Sequence, residues 1–285
     1  MNLTLRPGTP ADGQACGRIC FEAFHAISTY HNFPPDVPSL EMAAGLITLL
    51  LSRPDVYSVV ADAGGTIIGS NFMWEGDSIA GIGPLTIDPK HQNSGAGRRM
   101  MENVLARAAR KHFSGVRLVQ AAFHNRSLSL YTKLGFEVRE PLACIQGTPL
   151  NNSLPGFVVR AATQDDLDVC NQLSRKVHGH DRASELMGAI QQKTAVAVES
   201  GGKIAGYATG IGFFTHAVAE NNDALKAMIA AAPEFAGPGF LLPTRNSDVF
   251  RWCLNQGLQI TQPLTLMSMG LYNEPRGAFL PSILY

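Results

Sequence analysis

The sequence predicts a two-domain α/β chain of 285 residues, long enough for each domain to bury a core. Three observations carry this reading. Short apolar runs of strand character alternate with runs of helical spacing. At residues 82–97 an apolar strand, a turn set by Pro89 and a glycine-bearing loop lead directly into a helix-forming run. The order of features in the first half then returns in outline from residue 157.

Taken in order, residues 2–6 alternate as a short strand. Thr9 is placed to cap a helix with Pro10 at its first position and Asp12 in its first turn. Cys16, Ile19, Cys20, Ala23, Phe24 and Ile27 form the apolar stripe of that helix, and residues 30–35 break it. Ser39 caps a second helix over residues 40–51. Residues 57–62 and 66–74 read as a hairpin around Gly64-Gly65. Residues 78–87 form the strand feeding the loop, and a helix follows from Arg98 to Lys111 with Met101, Val104, Leu105 and Ala108 on one face. Residues 116–123 are a buried strand, residues 124–136 a short helix with Gly135 just beyond its end, and residues 138–145 a last strand. A linker fits residues 147–156.

Composition narrows the function. Apolar residues make up 45 % and charged residues 16 %, so the chain is not disordered. Lys plus Arg and Asp plus Glu number 23 each, which leaves no basic field to attract nucleic acid. The 5 cysteines show no Cys-x-x-Cys spacing, and Cys16 and Cys20 read as small core residues, so no metal is expected. Residues 42–51, the longest apolar run, are too short to span a bilayer, and residues 1–7 lack the shape of a signal peptide. The expectation is a reduced, soluble, cytoplasmic protein without membrane partners.

A strand feeding a glycine turn that opens a helix is an anion site, because the first amides of the helix lack internal partners and the helix dipole favours negative charge there. Gly95 and Gly97 carry no Cβ to obstruct those amides. The spacing Gln92-x-x-Gly95-x-Gly97 resembles the pyrophosphate loop of the GNAT superfamily, the acetyl-CoA-dependent N-acetyltransferases. Neither Gly-x-Gly-x-x-Gly after the first strand nor Gly-Lys-Ser/Thr is present. Further on, Asn125, Tyr131, Lys133, Gly135 and Phe136 stand in the spacing that resembles the superfamily's second hallmark, with Ser127 or Ser129 at its small-residue position.

The second half resembles a degenerate copy. Residues 159–166 echo 5–12, residues 201–206 echo 64–69, and residues 246–257 echo 125–135. Aligning Ile211-Gly212 with Ile82-Gly83 puts residues 219–226 at the loop position, without glycines and with Glu220 and Asp223 where phosphate would sit. Cys253 falls at the tyrosine position. The whole resembles bacterial tandem GNAT proteins.

This resemblance implies an α/β (α+β) fold of two GNAT-like domains, residues 1–150 and 157–285, each a mixed, largely antiparallel twisted sheet flanked by helices. It implies an N-acetyltransferase moving an acetyl group from acetyl-CoA, its cosubstrate, directly to the amine of a small-molecule acceptor. The backbone of Leu85, Thr86 and Ile87 would run beside the pantetheine arm, with the Ile87 amide facing the thioester oxygen. The amides of Gln92, Asn93, Ser94, Gly95, Ala96 and Gly97 would hold the pyrophosphate. Asn125 would contact the coenzyme A arm, and Tyr131 would be the general acid on sulfur. No base is assigned: residues 78–85 contain no glutamate, Glu75 and Asp77 read as solvated turn residues, and His25, His31 and His124 are lone histidines near the cleft. The acceptor is expected near Phe24, Tyr30, Phe33 and Trp74. A homodimer is left open, and the competing readings are a non-catalytic acyl-CoA sensor and a structural or interaction protein.

Overall fold

A computed structural model describes residues 3–284, so residue 2, which opens the first expected strand, lies outside the described residues. The chain divides into two compact units, one running to Leu118 and including Phe123–Glu137, the other made of Val119–Ala122 and Val138–Ile283. The expected linker at 147–156 therefore lies inside the second unit, as does the strand before it.

In the first unit β1 (Leu3–Pro7) leads to α1 (Gly13–Tyr30) and α2 (Leu40–Ser52). Thr9 caps a single 3-10 turn over Pro10–Asp12 rather than α1 itself. The Thr9 amide and hydroxyl both donate to Asp12 Oδ2, at 2.8 and 2.9 Å, while the Arg6 guanidinium grips both carboxylate oxygens at 2.8 and 2.7 Å. Ser39 caps α2 as expected, accepting from the Met42 amide at 3.1 Å. Cys16 and Cys20 are buried against Ile47, Leu50 and Phe72, the packing expected of small core residues. The hairpin β2 (Val56–Ala63) and β3 (Ile67–Trp74) turns at Gly64-Gly65. Then follow β4 (Ile79–Ile82), β5 (Thr86–Ile87), α3 (Ala96–Arg110), β6 (Gly115–Ala121) and α4 (Asn125–Lys133). The strands run in the order β1-β2-β3-β4-β6, antiparallel except for the parallel pair β4 and β6. Met100, Met101, Val104 and Ala108 are the buried face of α3; Leu105 is half-buried.

In the second unit β7 (Glu137–Gln146) pairs with a later strand, set out below. Next come β8 (Phe157–Ala161), α5 (Leu167–His178), α6 (Ala183–Gln192), β9 (Val196–Ser200), β10 (Lys203–Ala208) and β11 (Ala217–Ala219). The chain continues through α7 (Asn222–Ala231), β12 (Phe240–Pro243), α8 (Ser247–Asn255), β13 (Gln259–Gly270) and β14 (Ala278–Leu280). β7 is antiparallel to β12, with Phe240 opposite Ile145, and a separate sheet runs β14-β11-β10-β9-β8. The echo of the first half is physical. Arg160 grips Asp166 at 2.7 and 2.8 Å, and the Thr163 amide and hydroxyl donate to the same carboxylate at 2.7 and 3.0 Å. Buried His216 ties α6 to the sheet, lying 3.1 Å from the Glu185 carboxylate and 3.2 Å from the Tyr207 hydroxyl.

Candidate functional site

The strand expected across residues 78–87 is interrupted. Both pieces pair with β3, but residues 70–73 of β3 lie opposite residues 82–86, one residue longer, so the chain bulges at 83–85. Gly83 donates to Phe72 O at 3.0 Å, and the peptide bond before Pro84 is cis. β5 pairs with β3 and with no other strand among the described residues. Asp88 N–H donates to Ile68 O at 2.9 Å, and Gly69 stands opposite Ile87. The alternation of an antiparallel ladder therefore turns the Ile87 amide toward the unpaired side. Leu85 and Ile87 are half-buried, and Thr86 is buried with its hydroxyl 3.5 Å from that of Ser70.

Asp88 caps the turn over Pro89–His91, accepting from the Lys90 amide at 2.9 Å. The loop then exposes Asn93, Ser94 and Gly95, with Gln92 and Gly97 half-buried and Ala96 buried. Gly95 is the N-cap of α3 with φ 83°, a left-handed conformation that favours glycine, and no side chain caps the helix. The helix begins at Ala96 rather than Arg98, and its first internal bond is Arg99 N–H to Gly95 O at 3.1 Å. The amides of Ala96, Gly97 and Arg98 therefore have no partner within the helix, and the first turn holds no acidic residue. A Cβ at Gly97 would meet Ile87 Cγ1 and Leu130 Cδ2 at 3.8 Å, ordinary contact. Nothing within the protein requires glycine there, whereas an anion seated on these amides would.

α4 is capped by His124, whose Nδ1 accepts from the Ser127 amide at 3.3 Å. That acceptor role needs a neutral ring with its proton on Nε2. Burial, joined by the charge of Arg126, pushes the His124 pKa below its ordinary value and favours that state. Asn125 is exposed at the first position of α4. Tyr131 is buried, its ring 6.1 Å from that of Phe136, and its hydroxyl has no hydrogen-bond partner among the described residues. Burial pushes its phenol up to about 12, so it stays protonated at neutral pH. Gly135 ends the helix with φ 98°. One contact had no signal in the sequence: Arg126 Nη2 donates to Gln92 Oε1 at 2.7 Å, binding α4 to the loop.

The base and acceptor candidates disperse. Glu75 is not a solvated turn residue: its carboxylate pairs with Arg107 through two hydrogen bonds and lies 3.4 Å from Lys111. Burial would raise its pKa, but these cations hold it below the ordinary value. His25 stacks on Phe21 with ring centres 5.5 Å apart. Phe24 and Trp74 pack against the core of Cys16 and Phe72, and Tyr30 is 79 % exposed. Phe33 stacks on Phe123 at 4.3 Å, and His31 leans on the same ring at 5.3 Å.

The second unit has the matching strand without the loop. Gly206 opposite Ala219 and Tyr207 opposite Val218 repeat the β3–β5 register, which makes β11 the counterpart of β5. α7 starts almost at once, at Asn222, and the Asn221 side chain accepts from the Ala224 amide at 3.0 Å, filling the place an anion would take. Glu220 pairs with Lys176 at 2.8 Å and Asp223 lies in the first turn. The edge that β5 leaves open is covered on β11 by β14, with Val218 opposite Phe279. Cys253 is fully buried. Among the described residues no group of His, Cys, Asp and Glu is placed to hold a metal ion, and no helix is long and apolar enough to cross a membrane.

Residues 22–136 match the model of the acetyltransferase (GNAT) family. No curated protein matches the chain. Among solved structures, a putative acetyltransferase from Pyrococcus horikoshii is 16 % identical with a TM-score of 0.73, over 99 % of this chain and 92 % of that one. A GCN5-related N-acetyltransferase from Sphaerobacter thermophilus is 13 % identical with a TM-score of 0.64, over 95 % and 96 %. A tandem GNAT protein from the clavulanic acid biosynthesis pathway is 12 % identical with a TM-score of 0.56, over 94 % and 98 %. At these identities the likeness is one of fold, and it runs through both halves of the chain.

Proposed function

We propose that the chain moves an acetyl group from acetyl-CoA directly to the amine of a small-molecule acceptor, a reading supported by the match of residues 22–136 to the acetyltransferase (GNAT) family model. The observation that carries this reading is the uncapped start of α3, with a glycine at 97 that the protein itself does not need, beside the unpaired edge of β5. In this reading the backbone from Gln92 to Gly97 takes the pyrophosphate, and Leu85, Thr86 and Ile87 line the pantetheine arm. Asn125, exposed at the head of α4, contacts the same arm. The half of the chain from residue 157 binds no cofactor, in keeping with the absent loop and the covered edge of β11.

The chemistry asked of the chain is modest. The Ile87 amide donates to the thioester oxygen as it gains negative charge. Tyr131 supplies a proton to the departing sulfur. Its high pKa is no obstacle, because the desolvation that raises the phenol also raises a thiolate beside it. His124 is not the base, since its Nδ1 is occupied by the helix cap and its Nε2 carries the proton. Glu75 is held by Arg107 and Lys111. Amine deprotonation is left to water or to His31, beside the Phe33–Phe123 stack where the acceptor is placed in this reading.

The test is thiol release from acetyl-CoA across a library of small amines. Steady, amine-dependent release supports the enzyme. Acetyl-CoA binding without release from any amine would instead make the chain an acyl-CoA sensor.

A further inference from the structure

We infer that Arg126 is a positioning residue for the cofactor, acting through Gln92 to fix the pyrophosphate loop against α4. The inference rests on the acetyl-CoA reading of the loop given above. The Gln92 side chain is held at both ends: Oε1 accepts from Arg126 Nη2 at 2.7 Å, and Nε2 reaches Ile87 O at 3.5 Å. A single bridge, Arg126–Gln92–Ile87, thus joins α4, the loop and β5. Those three elements carry Thr86, Ile87, Gln92 to Gly95, Asn125 and Tyr131, most of the residues assigned to the cofactor or to acid catalysis.

Other arginines near the loop are committed elsewhere. Arg98 pairs with Glu102 at 3.2 Å, and Arg99 donates to Leu3 O at 3.0 Å. Among the described residues no carboxylate pairs with Arg126, and its guanidinium donates to Gln92. A guanidinium has five donors in a fixed fork, so one bond to Gln92 leaves others for an anion on the adjoining amides. Two contributions follow: a geometric one, transmitted through Gln92, and an electrostatic one from an uncompensated positive charge. An ammonium at the same place supplies the second and not the first.

The experiment measures acetyl-CoA affinity by calorimetry, together with kcat and KM, for Arg126→Ala, Arg126→Lys, Gln92→Ala and the Ala/Ala double variant. Thermal midpoints serve as a check on folding. Gln92→Ala should weaken acetyl-CoA binding about tenfold, as expected for loss of a charge-assisted hydrogen bond, and Arg126→Ala should weaken it further because the charge is lost as well. The double variant should be little worse than Arg126→Ala alone, because Gln92 acts only through Arg126. Arg126→Lys should recover part of the loss, KM for acetyl-CoA should carry the effect, and kcat and thermal midpoint should stay near wild type. Wild-type affinity in Arg126→Ala, or fully additive losses, overturns the bridge while leaving the cofactor reading standing. Failure of the unaltered protein to bind acetyl-CoA removes that reading itself.

Discussion

Gln92 and Arg126 stand 34 residues apart in sequence and 2.7 Å apart in space, and their hydrogen bond joins the loop before α3 to the helix that carries Asn125 and Tyr131. The anion-binding part of the proposed site and its acid are therefore held as one piece. On the other side of the loop, Ile87 turns its amide to an unpaired edge because Asp88 and Ile68 take up the ladder bond.

Gly97→Asp should separate cofactor binding from folding. The new Cβ meets only ordinary contacts, and a carboxylate in the first turn of α3 suits the helix dipole. The same carboxylate repels a pyrophosphate at the amides, and affinity for acetyl-CoA should fall on the order of a hundredfold. Calorimetry together with a thermal melt checks this. An intact fold with unchanged affinity would remove the loop from the site.

Tyr131→Phe keeps the buried ring and its contact with Phe136 while removing the proton. Turnover should fall by about a hundredfold, the usual worth of general acid catalysis, with the acetyl-CoA dissociation constant little changed. Since the phenol is pushed up to about 12, the wild-type rate should show no loss from its ionisation between pH 7 and about pH 10. Equal turnover in both proteins would return Tyr131 to packing alone. A matched loss of affinity would make it a cofactor contact.

What the sequence revealed was local. The Gly64-Gly65 hairpin, the Ser39 cap and the glycine end of α4 rest on chemistry within a few residues, and each appears in the structure. The strand at 78–87 read as continuous because its apolar pattern is continuous; only pairing against β3 exposes the bulge. Glu75 looked solvated because Arg107, its partner, lies 32 residues away. His124 looked like a lone cleft histidine, because its capping bond to the Ser127 amide exists only once α4 has formed. In the second half the charges of Glu220 and Asp223 suggested a spoiled loop. The structure adds that α7 begins almost at once and that β14, distant in sequence, covers the edge.

Stability should fall in acid through the paired carboxylates. Asp12, gripped by Arg6, has its pKa lowered to about 2, and Asp166 is lowered in the same way by Arg160. A depressed folded-state pKa contributes stability that is present above the unfolded value, near 4, and is lost as pH falls toward about 2. Urea midpoints should therefore drop between about pH 4 and pH 2. Asp12→Asn should lower the neutral-pH midpoint and flatten that drop. A variant with the wild-type acid profile would show that the Arg6–Asp12 pair does not set it.

The most direct test of the account is a calorimetric titration of the whole chain with acetyl-CoA. One cofactor should bind per chain, because α3 offers free amides beside an open strand edge while α7 is capped by Asn221 and β11 is covered by β14. In Gly97→Asp the affinity should fall on the order of a hundredfold. Two equivalent sites per chain, or a single site indifferent to residue 97, would contradict it.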